Sequence, residues 1–308
     1  MTATAKKCCI FFISSAWLLV LRIVVSYLPL SDNGSDWLFS FMAQAVGMGV
    51  IPLVLYKFWV KEDVLTGLSI KTKVPGVVWG LVPVVAILTT FVTRGVSIVW
   101  QTGLRLVGYT HVNSVGTIYS DIGVLVMDIL VTAILPAMFE ELTDRGLLSS
   151  ALGGVDDKVK LVLMAFFFAL AHQNIVQTGY TFAAGLVFSY LLLTTKSIFP
   201  GAIVHFCNNF LSVIGSYSSQ TNGLLARITD LYYEFINEFF LLALLIWIIA
   251  GVLLVSVLRR IGWIMKESSS APTERKGPAE WYEYAFLYGA AAMMILSTAF
   301  TLLWGIWR

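Results

Sequence analysis

The sequence predicts an all-α protein, a polytopic transmembrane helix bundle of about eight or nine spans. Three observations carry that reading. Hydrophobic residues make up 58% of the 308-residue chain and charged residues 12%, with a mean hydropathy of +0.84, whereas a soluble domain holds roughly 25% charged residues. The apolar residues gather into runs long enough to cross a hydrocarbon layer about 30 Å thick. Lysines and arginines gather between those runs and favour alternate connections.

Lys6 and Lys7 precede an apolar run over 8–30. It is longer than the roughly 7 to 15 apolar residues of a signal peptide and lacks a clear cleavage site, so it is read as a retained first span. Runs over 37–58, 74–100 and 122–148 have spanning length. Those over 161–173, 180–195 and 198–216 are shorter and closely spaced, as expected of helices packed inside a bundle. Runs over 239–258 and 284–307 close the chain, separated by a Ser- and Pro-containing stretch over 266–278 that reads as a flexible linker. The chain then divides into N-terminal helices (1–121), a central part with most of the chemistry (122–216) and C-terminal helices (217–308).

With this topology 14 lysines and arginines fall on one face, 3 fall on the other, and Arg22, Arg94 and Arg145 lie inside spans. The N-terminus and the loops near 65, 155 and 265 are therefore expected in the cytoplasm. The compact loops point to a prokaryotic cell membrane, and the bilayer itself is the first partner. A net charge of +2, with no basic run interleaved with aromatics, argues against a nucleic-acid partner. Cys8, Cys9 and Cys207 have neither disulfide-framework nor zinc spacing and are read as unmodified thiols.

The chemistry concentrates in Phe139-Glu140-Glu141-Leu142-Thr143-Asp144-Arg145-Gly146. Three carboxylates and a guanidinium end a long apolar run, where ionised groups are costly. On a helix Glu141 and Arg145 share a face at i,i+4 and form a pair. That leaves Glu140 available, with Asp144 one turn below it and no role for Asp144 evident. Pro136 cannot donate to the carbonyl of Thr132 and so introduces a kink one turn before Glu140. The alternative is a solvated helix end. Two of the three histidines, His172 and His205, sit on the following short helices; His111 falls in an external loop and is expected to be idle.

Counting ~1.5 Å per residue from the cytoplasmic helix ends puts Glu140, His205 and His172 about 12, 10 and 17 Å deep. They are expected to meet in one cavity open to the cytoplasm, which would bring water to a bond to be hydrolysed. Glu140 then suits a general base, with His172 orienting and helping to deprotonate the water. His205 and Asn209 suit a donor pair for an oxyanion. Alternatively Glu140, His172 and His205 would ligate a divalent metal such as zinc, although no His-Glu-x-x-His helix is present.

Glu140, Glu141 and Arg145, then Phe168 and His172, then His205 and Asn209 reproduce Glu-Glu-x-x-x-Arg, Phe-x-x-x-His and His-x-x-x-Asn in order. In this the chain resembles the CPBP family of intramembrane proteases, the group of CAAX proteases and bacteriocin-processing enzymes. The resemblance implies a multi-helix membrane endopeptidase, often labelled a metalloprotease, in which Glu140 and His172 activate water and His205 and Asn209 form the oxyanion hole. It implies a membrane-associated peptide or protein substrate, cut in CAAX-type processing or in peptide maturation and self-immunity. An ion-coupled transporter using the same buried groups, or a non-catalytic membrane scaffold, is the rival expectation.

Overall fold

A backbone that water cannot reach must satisfy its own polar groups, and a helix does so within one segment. The computed structural model describes residues 1–28, 32–110, 117–221, 223–268 and 279–307, and among the described residues there is no strand. The helices are α1 (Ala3–Ser26), α2 (Asn33–Val60), α3 (Gly76–Leu106), α4 (Ile122–Ala151), α5 (Asp157–Ala171), α6 (Ile175–Thr195), α7 (Phe199–Ser219), α8 (Leu224–Glu238), α9 (Phe240–Ser268) and α10 (Ala285–Trp307). His111 and residues 269–278 of the expected linker lie outside the described residues, while 266–268 continue α9.

Seven of these, α1, α2, α3, α4, α6, α9 and α10, are long and apolar enough to cross a membrane. The two histidine-bearing elements are not among them. At 15 residues, α5 rises about 22 Å, less than a bilayer core, and α7 carries His205, Asn208, Asn209 and Ser212. Both bury one side against neighbours, while Val162 on α5 and Ile203 and Leu211 on α7 stay exposed. Helix α5 packs on α6, α6 on α3 and α7, and α7 on α4, while α1, α2, α9 and α10 surround them. The segment after α7, which falls between two of the apolar runs read from sequence, contains α8. Its Leu224, Ile228, Leu231 and Phe235 recur at helical spacing, the pattern of an amphipathic surface helix.

Because α5 ends inside the bundle, its turn back to α6 must be satisfied by protein. Gln173 takes φ 49° there and is 1% exposed. Arg22 Nη2 approaches the carbonyl of His172 at 3.4 Å, Thr301 Oγ1 accepts from Ile175 N–H at 3.0 Å, and Trp100 Nε1 donates to the Ile175 carbonyl at 2.7 Å. Asn174 caps α6 through Val176 N–H at 3.0 Å. Helices α1, α3 and α10 thus fix one turn.

Two helices are locally wider than α. Helix α2 is π-helical over Met42–Val50 and Tyr56–Val60, and α4 over Ile129–Ile134 and Glu141–Leu147. Such stretches gather at functional sites. Carbonyls of the first accept from other helices, Met42 from Trp17 Nε1 at 3.1 Å and Met48 from Thr143 Oγ1 at 2.6 Å.

The lysine-rich end of the bundle is closed. Residues 61–75 fold across it, with Ile198 N–H donating to the Ser69 carbonyl at 3.2 Å and Thr72 Oγ1 to the Lys196 carbonyl at 2.6 Å. Leu68 is fully buried in one cluster with Leu147, Leu148 and Ile198. Helix counts from the sequence placed the cavity mouth at this end. They treat loops as absent, and here a loop is the cover.

Candidate active site

Glu141, Thr143, Asp144 and Arg145 are fully buried, so the stretch is not a solvated helix end. Arg145 Nη1 lies 3.1 Å from Glu141 Oε1, the i,i+4 pair expected from sequence. The approach is close without hydrogen-bond alignment, and none of the guanidinium nitrogens has an aligned acceptor. The charge is held instead against aromatic faces, 4.0 Å from the Phe168 centroid and 5.1 Å from that of Phe188.

The same Glu141 oxygen is 3.0 Å from His205 Nδ1. A carboxylate there accepts, so Nδ1 carries a proton and Nε2 is the ring nitrogen left for other chemistry. The ring is locked between Phe188, stacked at 4.9 Å and 17°, and Phe168, edge-on at 5.6 Å. Glu141 and Arg145 therefore form more than a self-neutralising pair: they hold His205 in one orientation, with Nε2 3.8 Å from Glu140 Oε2.

Glu140 Oε1 accepts from Gln44 Nε2 at 2.6 Å, while Oε2 makes no protein hydrogen bond. His172 Nδ1 donates to the Phe168 carbonyl at 2.9 Å, so its Nε2 is the acceptor in the neutral ring. Asn209 Nδ2 donates at 3.1 Å to the carbonyl of Thr132, to which Pro136 offers no N–H. One amide hydrogen of Asn209 is thereby used, and the other remains. Glu140, His172, His205 and Asn209 all line one cavity of about 370 Å³. Asp144 does not line it, and neither of its carboxylate oxygens has a hydrogen-bond partner.

Gly201, on the first turn of α7, makes room for this arrangement. A Cβ at 201 would stand 3.1 Å from Glu141 Oε2, whereas one at Gly215 on the same helix would meet nothing nearer than Arg94 Nη2 at 3.8 Å. Both changes to alanine gain the same helix propensity. Gly201→Ala is expected to cost roughly 1–3 kcal/mol by crowding, and Gly215→Ala to cost nothing, in denaturation of the detergent-solubilised protein. Equal stability of the two would mean that Glu141 has slack.

The residues named for a metal do not fit one. Among the described residues no three His, Cys, Asp or Glu side chains converge as a ligand set.

Sequence reasoning missed Gln44, the partner of Glu140, and Tyr180, Gln177 and Asn208, which also line the cavity. For Gln44 a signal existed, an amide amid the apolar residues of Met42–Val50. The cavity also extends differently from expectation. Two adjoining cavities continue it away from the closed lysine-rich end, one reaching Arg22 and Asn174, the other Arg94, Ser97 and Gln101.

Residues 122–211 match the family model described as Rce1-like, type II CAAX prenyl endopeptidase. The match covers less than a third of the chain and includes every residue of the three motifs. It supports an intramembrane endopeptidase at the level of the family, and with the seven apolar helices it supports an integral-membrane chain. No curated protein and no solved structure matches the chain.

Proposed function

We propose, from the Rce1-like segment as premise, that the chain is an endopeptidase that hydrolyses a peptide bond of a membrane-associated peptide or protein with water activated by Glu140 and His172. The observation that carries this is the convergence, in one cavity, of an unpartnered carboxylate oxygen, two oriented imidazoles and an amide donor.

Glu140 Oε2 takes a proton from water as the oxygen adds to the scissile carbonyl carbon. His172, fixed by its bond to the Phe168 carbonyl, accepts the water's second hydrogen and aims the lone pair. The oxyanion meets the remaining amide hydrogen of Asn209 and Nε2–H of His205 in its doubly protonated form. The C–N bond then breaks, the proton on Glu140 passes to the leaving nitrogen, and a carboxylate and an amine result. The CAAX-type tail and the maturing leader peptide are the two substrate classes this reading takes.

The test uses the full chain in detergent, with a peptide mixture derived from a membrane fraction and mass spectrometry of newly formed termini. His172→Gln, which keeps a polar group in place, is expected to lower product formation roughly 10²-fold with an unchanged melting temperature. Product formation at the wild-type rate would remove His172 from the mechanism.

A further inference from the structure

Helix α3 carries a polar face that the reaction above does not use. Thr90, Arg94, Ser97 and Gln101 recur at spacings of four, three and four on this 31-residue helix, which places them in one stripe. They line a cavity of about 320 Å³ that shares Gln177, Tyr180, Asn208 and Asn209 with the catalytic one. A further cavity leads from Arg94 to Arg105 at the end of the helix.

An arginine within a helix long and apolar enough to span ordinarily pairs with a carboxylate or faces a functional cavity, and the Arg94 side chain is exposed along its cavity. Among the described residues no carboxylate pairs with Arg94, whereas buried Arg145 has Glu141. The guanidinium reaches α7 at Gly215, where a Cβ would lie 3.8 Å from Nη2. A planar fork of donors in a polar cavity beside a protease site matches the geometry of a carboxylate.

We propose that Arg94 binds a carboxylate of the substrate peptide and so sets the distance between that group and the bond cut; this rests on the proteolytic reading above. Gly215 is ten residues beyond His205 on α7, a rise of about 15 Å. An extended peptide covers ~3.3–3.6 Å per residue, so the carboxylate stands about four residues from the scissile bond. It belongs either to the chain end or to an internal Asp or Glu.

The experiment measures binding apart from cleavage, with the full chain carrying Glu140→Gln. Three versions of one labelled apolar decapeptide serve as probes: a free C-terminal carboxylate, a C-terminal amide, and the amide with a glutamate near its end. The carboxylate peptide is expected to bind at least tenfold more tightly than the plain amide. Adding Arg94→Gln is expected to abolish that preference and Arg94→Lys to keep part of it. Tight binding of the glutamate peptide as well assigns the role to any carboxylate; its failure restricts the role to the chain end. Equal binding of all three, no binding, or a preference that survives Arg94→Gln overturns the inference. A preference lost in Arg94→Gln, combined with no hydrolysis by the wild-type chain, would instead keep Arg94 as a carboxylate site and remove the protease reading.

Discussion

Glu140→Gln is expected to lower peptide hydrolysis by roughly 10²- to 10⁴-fold and to leave the fold intact. The substitution preserves shape, and its carbonyl can still accept from Gln44 where Glu140 Oε1 now does, at 2.6 Å. What changes is the other oxygen, which makes no protein hydrogen bond and faces His205 Nε2 at 3.8 Å. An amide nitrogen there donates and cannot take a proton from water. Single-turnover rates on a cleaved peptide, set beside thermal melts in detergent, separate chemistry from folding. A rate within tenfold of wild type, on a protein that melts normally, would leave Glu140 without the role of base.

The second large effect falls on stability. Arg145→Met removes the guanidinium beside Glu141 in a fully buried position and leaves only His205 against that carboxylate, and breaking a buried pair from one side costs roughly 3–5 kcal/mol. Folded yield and melting temperature are expected to drop accordingly. The double change Glu141→Gln with Arg145→Met removes both charges, and methionine can still fill the space against Phe168 and Phe188. It is expected to recover most of the lost stability, a coupling that a double-mutant cycle reads directly. Hydrolysis is expected to stay low in the double variant, because His205 loses the carboxylate that holds Nδ1 at 3.0 Å. Full stability of Arg145→Met alone would contradict the buried pair, and full activity of the double variant would contradict its role in orienting His205.

The sequence was most readable where spacing alone decides proximity. Glu141 and Arg145 are four apart and pair as a helix requires. Pro136 marks the Thr132 carbonyl as short of a donor, and Asn209 supplies one. His172 and His205 stand out because the chain has only three histidines. What could not be read depends on partners far away in the chain. Gln44 reaches Glu140 from 96 positions earlier, and no local pattern encodes that. The π-helical widening over Glu141–Leu147 alters which side chains share a face, while the count from sequence assumed a uniform α-helix. The depth count brought Glu140, His172 and His205 into one cavity, as found, but it took each helix as running from edge to edge and so misjudged where that cavity opens. Helix α5 stops short, and residues 61–75 cover the end where the cavity was expected to open. The stripe on α3 was legible in its spacing, but three isolated arginines inside spans gave no reason to prefer Arg94 until the cavities linked it to Glu140.

The short length of α5 bears on how the protein is made. A 15-residue helix that begins with Asp157, Lys158 and Lys160 is a poor candidate for partitioning into lipid by itself, since charged residues near its start oppose release from a translocation channel. Its turn has to find Arg22, Trp100 and Thr301, and Thr301 belongs to α10, which is synthesised after it. The hairpin of α5 and α6 must therefore wait, partly unsatisfied, until α10 has been made and has packed against it.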